Sequence, residues 1–195
     1  MRIQMKQAIF AGILLFTAVA TATGSDFRVK LKFDYQDTKL RVQLYDVKSE
    51  YTFSVSKTAL AKSLNETPAA GPLKDELSFT PDDDAKTFLM VVSNTSKIAR
   101  YFFASPHTLH PGHASLGLLF ECLCNHHVYK VPAGMIWYRI VRLKADFKKI
   151  PAGKKGTIQL THAFVEVPEE KAQKEYRTML YDPSDAQPET KDQGL

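Results

Sequence analysis

Thiols are scarce in this sequence: two cysteines in 195 residues, Cys122 and Cys124, with one residue between them. A framework of several disulfides is thereby excluded. Long apolar runs are scarce as well. Beyond the N-terminal segment none approaches the roughly 20 residues that a membrane-spanning helix needs. There is no G-x-S-x-G, no phosphate-cradling glycine loop and no H-E-x-x-H. Nothing marks an oxyanion hole or an orienting carboxylate, so the chain is read as a binding protein and not an enzyme. Internal repeats and low-complexity core segments are also missing. The formal charge of +5 is modest for the length. It gives no reason to expect nucleic acid as a partner.

What is present begins with a targeting signature. Arg2 and Lys6 precede the apolar run "AIFAGILLFTAVA", and Ala18, Ala20 and Ala22 have cleavage-type spacing. This order of charge, apolar run and small residues is that of a secretory signal peptide. Residues 1–22 are therefore read as a signal peptide or membrane anchor. The rest of the chain is expected to be exported, to a periplasm or cell envelope. Loss of Arg2 and Lys6 leaves 24 basic against 21 acidic residues, about +3.

Residues 23–167 read as one β domain. "FRVKLKFDY" alternates, with Phe27, Val29, Leu31, Phe33 and Tyr35 on one face and charged residues on the other. "KLRVQLYDV", "YTFSVS", "ELSFTP", "AKTFLMVVSN", "IARYFFAS", "ASLGLLFECLC", "GMIWYRIVRLK" and "KGTIQLTHAFVEV" read as further strands, with turn signals between them. "KTALAKSLNETPAAGPLKD" breaks the pattern and reads as a helical turn and a Pro/Gly loop. No long amphipathic helix separates the strands, so the predicted fold is an antiparallel β-sandwich of the immunoglobulin-like kind. Residues 168–195 read as a short polar helix and a polar tail.

The cysteines close the strand "ASLGLLFECLC". Alternation places Leu116, Leu118, Phe120, Cys122 and Cys124 on one face, and His126 and His127 follow at once. Residues i and i+2 of a strand lie about 7 Å apart with parallel side chains, so two sulfurs can converge on one ion. Thiolates are soft ligands suited to Cu(I). Zinc would call on two further ligands, such as His126 and His127. A disulfide between Cys122 and Cys124 closes too small a loop to be a structural staple. A reversible redox pair and two inert core thiols stay open beside the metal reading.

"PHTLHPGH" carries His107, His110 and His113. Pro and Gly at the centre of "HPGH" predict a type II turn, which brings His110 and His113 together as a second candidate metal site. If the chain from Ala114 is fully extended, Cys122 lies about 30 Å from His113, and the two clusters cannot share an ion. The same histidines read equally well as a polar loop. His162 shares a face with Ile158, Leu160 and Phe164 and is expected to be a hydrogen-bonded core residue.

Taken together, several of these features resemble the copper chaperones that supply the copper-B centre during cytochrome c oxidase assembly. They are the N-terminal apolar segment, the C-x-C strand, Pro132 eight residues after Cys124, the strand "GMIWYRIVRL" and the closing "IQLTHAFVEV". The resemblance spans roughly residues 76–167 and is densest from Phe120 to Pro132. It implies an immunoglobulin-like fold and Cu(I) held by Cys122 and Cys124. It also implies a copper-accepting partner such as a cytochrome oxidase subunit, and a copper-bridged homodimer. The chain departs from that family in having Cys-Leu-Cys-Asn where the family has C-F-C-F, and Ala133-Gly134 after Pro132 where it has Gly-Glu. Two rival readings are a metal-free interaction domain of the cell envelope and a thiol redox protein using Cys122 and Cys124.

Overall fold

The computed structural model describes residues 27–36, 38–52, 54–55, 57–80, 83–112, 116–121, 126–146, 148–149 and 157–184. The N-terminal segment, Cys122, Cys124 and His113 therefore lie outside the described residues. Among the described residues no helix is long and apolar enough to cross a membrane.

Two sheets form an all-β sandwich. The first contains β1 (Phe27–Gln36), β5 (Glu76–Phe79), β7 (Arg100–Ala104), β8 (Thr108–His110), β10 (Val128–Val131), β12 (Thr157–Val167) and β13 (Leu180–Tyr181). Its order is β13-β10-β7-β12-β1-β5, and β8 also pairs with β12. The second contains β2 (Arg41–Val47), β3 (Thr58–Ala61), β4 (Ala69–Pro72), β6 (Ala85–Ser93), β9 (Leu118–Glu121) and β11 (Ile136–Ala145). Its order is β3-β11-β6-β2-β4, with β9 also on β11. Antiparallel pairs dominate, but β1 runs parallel to β12 and β13 parallel to β10.

Strand patterning explains the core. Phe27, Val29 and Leu31 of β1 are buried while Arg28, Lys30 and Lys32 are exposed. The register Val29↔Ile158 and Leu31↔Leu160 sets two apolar rows side by side. Strand β6 is buried continuously from Phe88 to Val92 because both of its faces are covered. Phe88, Met90 and Val92 enter the space between the sheets. Leu89 and Val91 point the other way, onto a cluster with Ile140, Val55 and Leu64.

Several elements differ from the sequence expectation, among them β4 and β8, which form strands in stretches read as loops. The stretch around "YTFSVS" begins with a 3-10 turn at Ser49–Tyr51, and the strand forms later, at Thr58–Ala61. Pairing with β11, with Leu60 opposite Trp137, selects that segment. "VYKV" forms β10, with Val128, Tyr129 and Val131 fully buried. After Val167 the chain makes helix α1 (Glu169–Lys174) and returns as β13. Ala172, Tyr176 and Leu180 pack on Tyr101 and Val128, covering the outer face of the first sheet.

Candidate functional site

Strand β9 delivers the chain to the cysteines. It pairs antiparallel with β11, Leu118 opposite Ala145 and Glu121 opposite Arg142. Leu118 and Phe120 face the core, whereas Leu119 is 57% exposed. This in–out alternation is the expected one. Leu116 departs from it, lying outside β9 and 65% exposed. Edge pairing explains where β9 stops. It shares one edge of β11 with β3, which takes Ile136–Arg139, and the Lys57 carbonyl accepts a hydrogen bond from the Ile140 N–H. The chain next appears as β10 in the other sheet. Residues 122–127, with both cysteines, thus connect the two sheets.

The histidines on the far side of this connection differ. His126 is exposed and has φ +60°, in the left-handed region that side chains other than glycine rarely adopt. His127 is half-buried, with its ring centroid 6.0 Å from Tyr129 and 5.9 Å from Tyr181.

The histidine loop reaches strand β9 through His107. Residues 108–110 form β8, paired to β12 with Leu109 opposite Leu160. This pairing brings His107 edge-on to Phe120, with centroids 5.5 Å apart. The expected separation of about 30 Å between His113 and Cys122 falls outside the described residues. His110 is exposed opposite Gln159. Its expected approach to His113 falls outside the described residues.

His162 occupies the core, fully buried. Its ring meets Phe120 at 5.7 Å, Phe164 at 5.0 Å and Phe33 at 6.4 Å. Burial pushes its pKa down to about 4, and the charge of nearby His107 pushes the same way. A hydrogen bond with the Ser105 backbone opposes them in part. Burial also lowers the pKa of His107. Both imidazoles are consequently neutral at pH 7, the form that binds a metal. Among the described residues no three or more His, Cys, Asp or Glu side chains converge as a metal group.

Sequence reading missed a second constellation, on the inner face of β11. Trp137, Arg139, Val141 and Leu143 share that face, and Arg139 is the charged member of an otherwise apolar row. Its Nη1 donates to the Thr58 hydroxyl at 3.1 Å. The signal was available in "IWYRIVRL", where alternation turns one arginine inward with the apolar side chains.

No curated protein and no solved structure matches the chain. A family model does match it, over residues 27–167, the span from the first strand of the sandwich to the end of its longest. The chain belongs to the family described as a domain of unknown function, DUF8709.

Proposed function

We propose that this is an exported copper-binding protein that holds Cu(I) through Cys122 and Cys124 and passes it to a protein partner. The observation that carries the reading is the isolated C-x-C-x-H-H. In sequence its cysteines lie between β9 and β10, with His126 and His127 two and three residues after Cys124. Two thiolates suit low-coordinate Cu(I). The imidazoles of His126, His127 or His107 offer further ligands as the ion arrives or leaves. Zinc fits the same donor types less well, because it takes four ligands. The all-β sandwich agrees with the resemblance to the oxidase-assembly copper chaperones, which also suggests a cytochrome oxidase subunit as recipient and copper-bridged pairing of two chains.

The test is a Cu(I) titration of the reduced protein against a competing chelator, with mass measured at each step. About one Cu(I) per chain, lost on Cys122→Ser with Cys124→Ser, supports the reading. Equal binding by the double variant refutes it.

The interaction-domain reading has one observation in its favour. A surface groove of about 650 Å³ lies against β9 and β11, lined in part by exposed Leu116 and Leu119 and by Arg142 and Lys149. If copper is transferred, this groove, next to the cysteine connection in sequence, is where the recipient would dock.

A further inference from the structure

Burying a donor without a partner costs about 1–3 kcal/mol, and a charged group costs more. Folded proteins therefore rarely leave one open unless something fills it. Strand β11 leaves two. The indole Nε1 of Trp137 and the guanidinium Nε of Arg139 are both buried without an acceptor. They belong to residues two apart on one strand, on the same inward face, at a spacing of about 7 Å. Both border Tyr129. The Trp137 ring lies 5.0 Å from it, and burial lowers the pKa of Arg139 while Tyr129 and Tyr181 oppose that shift.

Among the described residues Arg139 has no compensating carboxylate. Thr58 accepts its hydrogen bond. Arg100, by contrast, is also partly buried and pairs with Glu166. Half-buried Tyr181 and His127, 5.9 Å apart, both lie against Tyr129. Aromatic walls with one positive fork and one indole N–H suit a planar, oxygen-bearing anion. A guanidinium binds such a group through parallel N–H donors, and an indole N–H adds a third.

The geometry points to a carboxylate-binding cleft between β11 and β10, in which Arg139 and Trp137 donate to the oxygens of one carboxylate group. The inference does not require copper, although His127 borders both sites. The carboxylate comes either from a small free acid or from the chain's own segment after Ser184, which holds Asp185, Glu189 and Asp192 and follows directly on β13.

Trp137 is the single tryptophan of the chain, so its indole N–H gives one resonance in a nitrogen–proton correlation spectrum. The experiment titrates the reduced, metal-free full chain with sodium formate at constant ionic strength, with chloride as the control. A saturable shift of the Trp137 indole and Arg139 Nε–H signals, lost in Arg139→Met and weakened in Arg139→Lys, supports the cleft with a free acid as its ligand. A silent wild type whose signals respond to formate once Asp185→Asn, Glu189→Gln and Asp192→Asn are combined also supports it, with the chain's own tail as occupant. If neither protein shows a saturable shift, or if Arg139→Lys responds as the wild type does, the cleft does not bind carboxylate and the inference falls.

Discussion

Replacing His162 by phenylalanine should remove much of the protein's sensitivity to mild acid. The imidazole is fully buried among Phe33, Phe120 and Phe164, and its pKa is held at about 4. In the unfolded chain it returns to about 6.5. Between these values the unfolded state binds the extra proton, so stability rises with pH. The contribution is fully present above about pH 6.5 and is lost as pH falls towards 4. A difference of about 2.5 pH units is worth about 3 kcal/mol, of which about 2 kcal/mol is lost between pH 7 and pH 5.

The assay is urea unfolding of metal-free wild type and His162→Phe at several pH values between 7 and 5. Groups remote from His162 are common to both proteins and cancel in the difference, whereas the coupling to His107 is part of the effect measured. Phenylalanine matches its aromatic neighbours but loses the hydrogen bond to Ser105, a constant offset of about 1 kcal/mol. The wild type should therefore lose about 2 kcal/mol more than the variant over this range. Parallel stability curves would mean that His162 is charged in the fold, or that the protein opens locally at that point.

Other perturbations test other parts of the structure. Asn94 is buried, and its amide donates to the carbonyls of Ile98, Val131 and Pro132 while its oxygen accepts from Ser96. Asn94→Ala should cost about 2–4 kcal/mol in chemical denaturation, and a loss below about 1 kcal/mol would show that water replaces the network. His126→Gly removes a side chain from a left-handed backbone and should stabilise the fold by about 0.5–1 kcal/mol; destabilisation would place the His126 ring in a contact that matters. Leu119→Asp, on the exposed face of β9, should leave stability within about 0.5 kcal/mol while weakening transfer of copper to its recipient. Unchanged transfer would exclude the groove as the docking surface.

Much of the sandwich is legible in the sequence because its long strands carry local alternation that agrees with their final environment. Strand β1 is the clearest case: each odd position from Phe27 to Leu31 is buried and each even one exposed. Strand β3 was not legible. "TALA" has weak strand character, and its assignment depends on a partner more than seventy residues away. Strand β10 is short, and it follows a histidine pair that draws attention to chemistry instead of structure. The approach of His107 to Phe120 was hidden for the same reason as β3. It depends on β8 finding β12, a long-range pairing that no local pattern encodes. Arg139 was legible in principle, since simple alternation turns it inward, but charge alone suggests a surface residue.

The return of the chain as β13 has a consequence for how the protein behaves among its own copies. The family match ends at Val167, yet the Val128 N–H donates to the Met179 carbonyl, and Leu180 and Tyr181 run beside Val128 and Tyr129. Without that segment β10 would present bare amide and carbonyl groups along the rim of its sheet, beside uncovered Tyr101. Such a rim is a template on which a strand of another molecule can build. The last described turn of this chain thus works as a stopper against self-assembly, and a version cut at Val167 would be expected to elute as a mixture of oligomers.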